Sequence, residues 1–430
     1  MELPVELIAE IFTHLVKRSI DVNNVRLVCT MFRAAAVPVF AQTFNHRVFH
    51  LHTPSIESLL KLATDPKMAR HIEQLNFSTV SFTYLDHSLM SRYEWASNVP
   101  TRREAGFKRE VVEWYYEPLA KLNDDRTNAY TLRADLAAAL RKLPKLTRIV
   151  IVDGHQLTHI HGLPGVHPFI QQRLQQAHQE GAHFFAPSTH ERALELLIEG
   201  IHTAAISDRL QSLHIEAPFY VNSLPCPTFR NPHTLEDDQV FRHLTHLVLY
   251  VDLPSTVFDT NGPFIPATND NLPIFLRGFP ALKHFELHLP LYTDPTERRR
   301  YLLPWVDRTG FPAVSRLTFP HLQSCKFSNL ETAGIVPLRR FLLAHSATLR
   351  TVAFWNLRLP GSQWRPFAEL VGGSLELDLL EIRSLKRQED RGLDSGEAVS
   401  RKLMNAMAKV VRVEILELDE DCVMQSAIDC

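Results

Sequence analysis

The chain is predicted to be an α/β protein, with a small all-α block of two to three helices at residues 1–45 and an irregular solenoid of strand-and-helix units over 46–430. The strands of those units are expected to form a parallel sheet on the concave face. Three observations predict this. Apolar residues in the first forty positions fall at helical spacing. A short apolar pattern then returns nine times along the rest of the chain. The composition, 45% apolar and 22% charged over 430 residues, is that of a chain that buries a core and is long enough for two or three domains.

In the N-terminal block, Pro4 stands where a helix opens, a position at which its missing N–H costs nothing. Leu7, Ile8, Ile11, Phe12 and Leu15 recur on one helical face. Asp21, Asn23 and Asn24 are cap and turn residues for a second helix, which carries Val25, Val28 and Phe32 on one side. Pro38 stops it, and Val39 and Phe40 add an apolar anchor. Helices of this size hold too little core to stand alone, so they need a partner or the rest of the chain.

This block resembles the F-box motif. Leu3, Pro4, Glu6 and Leu7 reproduce the Leu-Pro-x-Glu-Leu opening. Val25, Arg26, Leu27, Val28, Cys29 and Phe32 reproduce the later Leu-Arg-Leu-Val-Cys-x-x-(Phe/Trp) core. Val25 replaces the family's frequent Leu and Phe32 its commoner Trp, both apolar swaps that a core tolerates. The resemblance implies docking on the Skp-type adaptor of a cullin-based ubiquitin ligase. It places Leu3, Pro4, Glu6, Leu7, Ile8, Ile11, Leu15, Leu27, Val28, Cys29 and Phe32 at that adaptor interface. Without the resemblance, the same residues read as an amphipathic helical hairpin that caps a larger domain.

The recurring pattern is apolar, two variable, apolar, one variable, apolar. It occurs at Ile72/Leu75/Phe77, Leu146/Ile149/Ile151, Leu210/Leu213/Ile215, Leu244/Leu247/Leu249 and Leu282/Phe285/Leu287. It continues at Leu322/Cys325/Phe327, Leu349/Val352/Phe354, Leu377/Leu380/Ile382 and Val413/Leu416/Leu418. Four short motifs, LPKL at 143, FPAL at 279, FPAV at 311 and FPHL at 319, place Pro two residues before an apolar position. The alternating pair in each copy is a short strand with one apolar face. One unit cannot bury that face, whereas a stack of units can. The intervals hold helix-like segments at Ser55–Ala63, Arg133–Arg141, Glu191–Ile198, Pro337–Ala344 and Val399–Lys409.

This region resembles the degenerate leucine-rich repeats that follow the F-box in many fungal proteins, most closely in FLLAHSATLRTVAF at 341–354 and LAAALRKLPKLTRIVI at 136–151. The alternative is a doubly wound α/β domain, against which the lack of a Gly-rich strand-to-helix turn counts. Two stretches interrupt the array, an aromatic-rich segment at 78–130 and a charged connection at 385–397.

With 46 basic and 48 acidic side chains, the near-neutral balance argues against nucleic acid as the main partner. Cysteines at 29, 226, 325, 422 and 430 show no metal spacing and read as reduced thiols. No signal segment or membrane-length apolar run is apparent, so the expectation is a protein of the cytoplasm and/or nucleus with no membrane partner. Phosphate-loop, H-E-x-x-H and G-x-S-x-G motifs are missing, and no cofactor, metal or catalytic residue is expected. His155, His159, His161 and His167 are the densest histidine group and the one place where a metal or hydrolase site is conceivable. Asp394 to Ser400 fits a DSGxxS phosphodegron, but the favoured reading is that Asp394 or Ser395 caps the helix that follows, since the pattern arises easily in polar loops.

The resemblance implies a non-catalytic subunit that binds adaptor, and through it cullin, and captures a protein substrate with the repeats. An adaptor-bound scaffold without degradation is the alternative. Residues beside the apolar strand positions project from the concave side of such a sheet. For the copies at 244, 282 and 349 these are His246, Tyr250, His284, Glu286, His288 and Trp355, a row rich in interface-type residues.

Overall fold

The computed structural model describes residues 37–38, 40–51, 53–78, 129–152, 187–215, 224–225, 240–252, 271–289, 311–330, 332, 334–359, 363–387 and 413–416. The expected adaptor residues Leu3 to Phe32, the histidine group at 155–167, the Asp394–Ser400 motif and the helix expected at Val399–Lys409 lie outside these residues. The chain divides into two compact units, Met1–Leu213 and His214–Cys430.

Among the described residues of the first unit, 37–38 and 40–43 are helical, so Pro38, expected to stop a helix, lies within helical residues. The chain then runs through a 3-10 turn, Phe44–His46, β1 (Val48–His50), α1 (Thr53–Thr64), α2 (Pro66–Ala69), β2 (Gln74–Ser78), α3 (Ala129–Arg141), β3 (Arg148–Val152) and α4 (Pro187–Ala204). Strand β4 (Ser212–Ile215) starts where this unit ends. The second unit continues with β5 (Leu224–Pro225), β6 (His246–Asp252), α5 (Asn271–Arg277), β7 (His284–His288), α6 (Phe311–Val314) and β8 (Ser324–Ser328). It then runs α7 (Val336–Ala344), β9 (Thr351–Leu359), α8 (Trp364–Ser374), β10 (Leu379–Arg387) and β11 (Val413–Leu416). Strand β10 therefore extends two residues past 385, where the charged connection was expected to begin.

In both units the strands pair in parallel and in sequence order, β1 to β3 in the first and β6 to β11 in the second, with β5 beside β6. Parallel neighbours need a crossover, and the helices supply it. The expected apolar pattern sets the register. Leu247, Phe285, Cys325, Val352 and Leu380 stand in one row, and Leu249, Leu287, Phe327, Phe354 and Ile382 in the next. None of these ten is more than 1% exposed. The final copy departs from expectation. Val413 pairs with Leu380 and Ile415 with Ile382, so the strand uses 413 and 415 as its apolar pair in place of 416 and 418. The run VVRVEILEL has apolar residues in two frames, and the pairing selects the earlier one.

The proline motifs are turns in three cases of four. Leu146, Leu282 and Leu322 each donate their N–H to the carbonyl three residues earlier, Leu143, Phe279 and Phe319, at 3.2, 3.3 and 3.1 Å. Proline at the second turn position presets the required φ. The motif at 311 behaves differently, since Phe311 opens α6 and Ser315 N–H bonds its carbonyl at 2.7 Å. Immediately after each turn, one carbonyl accepts two N–H groups from the unit that follows. The carbonyls of Glu73, Thr147, Thr245, Lys283, Gln323 and Arg350 all do this, at 2.8 to 3.2 Å. At the first position a side chain takes over that role, with Asn45 Oδ1 accepting from the Glu73 and Gln74 N–H groups at 3.2 Å each.

In the second unit, phenylalanines of α6, α7 and α8 pack on the buried sheet face. Phe327 of β8 lies 5.2 Å from Phe311 and 5.3 Å from Phe341 of α7, both edge-on, and Phe354 of β9 lies 5.5 Å from Phe367 of α8. Such edge-to-face pairs add about 0.5–1.5 kcal/mol to their area burial. In the first unit α3 and α4 approach closely, since a Cβ on Gly200 would lie 2.8 Å from Leu136 Cδ2. Arg209 Nη2 donates to the Leu140 carbonyl at 2.6 Å and so satisfies the last turn of α3.

His345 ties α7 to the turn of the preceding unit. Its Nε2 accepts the Phe319 N–H at 2.8 Å, so Nδ1 carries the proton and donates to the Phe341 carbonyl at 2.7 Å. Burial lowers its pKa from the ordinary 6.5, and a protonated ring would set N–H against N–H. The neutral ring thus contributes fully above pH 6.5, and stability falls as acid forces the proton on. Thermal melting should decline from pH 7.5 to 5. His345→Gln should cost about 1–3 kcal/mol at pH 7.5, from polar groups left unpaired, and should show a shallower decline.

Candidate docking face on strands β6 to β10

The alternate residues of the same strands form a second face, and the parallel register arranges them in three rows. One holds His246, His284, Ser324, Thr351 and Leu379. The middle row holds Val248, Glu286, Lys326, Ala353 and Glu381. The last holds Tyr250, His288, Ser328, Trp355 and Arg383. All six residues expected on this face are there, and the rows bring them together. The His246 and His284 rings stack at 4.2 Å, and those of Tyr250 and His288 at 4.1 Å. His288 meets the Trp355 ring edge-on at 6.4 Å. His288 departs from the expectation of a projecting residue, because these neighbours leave it only 6% exposed.

Charge on the face is organised around Glu286 and Trp355. Glu286 Oε2 lies 3.1 Å from His288 Nε2 and 3.0 Å from Lys326 Nζ. The hydrogen bond from His288, with help from Lys326 and against the cost of burial, lowers the Glu286 pKa from 4.5 to about 2. Lys326 Nζ also sits 3.4 Å from the centroid of the Trp355 ring, and Arg383 Cζ lies 4.5 Å from the same centroid. Trp355 Nε1–H donates to Glu381 Oε1 at 3.3 Å, and Arg383 Nε–H bonds that same oxygen. His284 is pushed towards its neutral form by burial and then by Lys283, with Glu286 opposing.

The sequence reading passed over Lys326, Ser328, Glu381 and Arg383, although the rule that selected the six residues applies equally to the copies at 322 and 377. It also passed over two asparagines past the strand pairs. Asn329 and Asn356 adopt φ of 60° and 59°, the left-handed conformation that asparagine tolerates better than most residues. Asn329 Nδ2 donates to the Leu289 carbonyl at 2.7 Å, and Asn356 Nδ2 to Asn329 Oδ1 at 2.9 Å. These bonds tie the residues just past β7 and β8 to each other and to the middle of β9.

The arrangement suits binding by a preorganised surface. Among the described residues no three His, Cys, Asp or Glu side chains form a group able to hold a metal ion. Ser328 Oγ is buried and has no hydrogen-bond partner among the described residues. Burial raises the pKa of the Cys325 thiol and keeps it protonated. No helix among the described residues is long and apolar enough to cross a membrane.

Glu286→Gln should keep the fold and lower the urea midpoint at pH 7, because Lys326 and His288 lose their shared anion. A carboxyl whose pKa drops on folding stabilises above its unfolded value, near 4.5, and loses that contribution as pH falls towards about 2. The difference between variant and wild type should therefore narrow when the comparison is repeated at pH 3.5. An unchanged difference would show that the carboxylate's charge is not its source.

No protein-family model matches the chain, and none of the curated proteins compared with it does.

Proposed function

We propose that the chain is the substrate-recognition subunit of an SCF-type ubiquitin ligase. The N-terminal block, read as an F-box, docks on a Skp-type adaptor and through it on cullin. The face of β6 to β10, read as part of a leucine-rich-repeat solenoid, captures the target protein. The chain performs no bond chemistry itself. Holding an acceptor near a charged conjugating enzyme raises the effective concentration of the reacting groups. The observation that carries the reading of the face is the in-register clustering of Tyr250, His288 and Trp355 around fixed charges, the aromatic-plus-cation content typical of interface centres. The reading of the N-terminal block rests on Leu3, Pro4, Leu27, Val28 and Phe32 as they stand in the motif. The site of action on this reading is the cytoplasm and/or nucleus.

Two variants of the full chain test the two halves separately. Leu3→Ala with Pro4→Ala should lose adaptor pulldown at limiting adaptor, since truncating a buried interface anchor commonly costs at least about 2 kcal/mol. Undiminished pulldown would overturn the F-box reading. Tyr250→Ala with Trp355→Ala should retain adaptor and lose the proteins that accumulate on the wild-type chain when the proteasome is inhibited. Enrichment of the same proteins would move recognition away from this face. Adaptor binding without cullin would identify a scaffold in place of a ligase subunit.

A further inference from the structure

We propose that Glu286, Trp355 and Glu381 form a receptor for basic side chains of a target segment, and that Lys326 and Arg383 occupy it as internal stand-ins which that segment displaces. The proposal rests on reading this face as the docking surface and not on the identity of the N-terminal block. A carboxylate beside an aromatic face is the combination that binds ammonium and guanidinium groups. The structure contains it twice around one indole. Lys326 Nζ lies 3.0 Å from Glu286 Oε2 and 3.4 Å from the Trp355 centroid. Arg383 bonds Glu381 through Nε and places Cζ 4.5 Å from the same centroid. The cations come from β8 and β10, the strands on either side of the strand that carries Trp355.

The formal charges of the four ionised groups cancel, so charge alone selects neither acids nor bases. Attachment decides. Each carboxylate has a second donor that does not leave: His288, 6% exposed, holds Glu286, and Trp355 Nε1 holds Glu381. The cations sit on long flexible stems whose charged heads regain hydration in water, and an incoming cation replaces the ion-pair and ring contacts they give up. An incoming anion would meet two carboxylates that cannot withdraw, whereas an incoming cation meets a receptor whose occupants can. The target chemistry this favours is a segment with two basic residues, not a phosphorylated one.

Removing the stand-in should open the receptor. The probes are blocked Gly-Lys-Gly-Arg-Gly, its norleucine–citrulline counterpart and a phosphoserine pentapeptide, titrated into the full chain while tryptophan fluorescence is followed. A tethered competitor acts at a high effective concentration, so Lys326→Met should bind the basic peptide at least about threefold more tightly than wild type. The neutral and phosphorylated peptides should gain nothing, and Lys326→Met with Trp355→Leu should lose the gain. Lys326→Gln repeats the test should the methionine variant melt early. Equal or weaker binding by both Lys326 variants, or a gain that survives without Trp355, overturns the proposal. If the basic peptide fails to bind while Tyr250→Ala/Trp355→Ala still abolishes target capture, the receptor is wrong and the docking face stands. If capture also survives in that variant, the docking reading falls with it.

Discussion

Neighbouring units are joined where strands begin, through a carbonyl that accepts two N–H groups of the unit that follows. The pairs of N–H groups reaching Glu73, Thr147, Thr245, Lys283, Gln323 and Arg350 are the recurring contacts on which the parallel register depends. Each such pair adds two backbone hydrogen bonds between neighbouring units, each contributing about 0.5–1.5 kcal/mol net. The register follows, because two donors from adjacent residues fix one alignment, and a slip by one residue would turn every side chain to the opposite face. The Phe-lined core and the polar face are two readings of that single alignment. Between the first two described strands a side chain serves instead, with Asn45 Oδ1 accepting from the Glu73 and Gln74 N–H groups.

The two faces divide the chemistry cleanly. One is nearly dry, with Phe311, Phe327, Phe341, Phe354 and Phe367 packed edge to face, and it accounts for stability. The other holds its ions in a closed set of mutual contacts in which His288, Glu286, Lys326, Trp355, Glu381 and Arg383 each touch at least one other member. Glu286, Trp355 and Glu381, held by His288 and by one another, lose little further freedom when a partner arrives, which lowers the entropic cost of binding.

Much of this fold was legible in the sequence because burial alone writes the apolar triplet. The triplets from Ile72 to Ile382 are buried as the pattern requires. The failures have local causes. Strand β1 went unrecognised because Arg47 occupies the middle apolar position of its unit, where its guanidinium lies 4.6 Å from the Phe44 ring. Helices α5 and α8 carry Pro273 and Pro366, and α8 also Gly372 and Gly373, residues that read as breakers. The charge network was invisible for a different reason. Lys326, Glu381 and Arg383 are ordinary surface residues in one dimension, and only pairing across three strands puts them on one indole.

The uneven length of the crossovers bears on how the chain finds its structure. Partners in the shared register lie 27 residues apart between β8 and β9 and 28 between β9 and β10, against 38 and 40 for the two preceding pairings and 74 between β2 and β3. Loop-closure entropy rises by about 0.6 kcal/mol per doubling of length, and low contact order speeds folding. Partners in β1 and β2 are also 28 apart, but the strands bearing Phe327, Phe354 and Ile382 are the most closely spaced run of three among the described strands. They also carry Lys326, Trp355 and Arg383, so the centre of the polar face is built by the segment that needs the least of the remaining chain to nucleate.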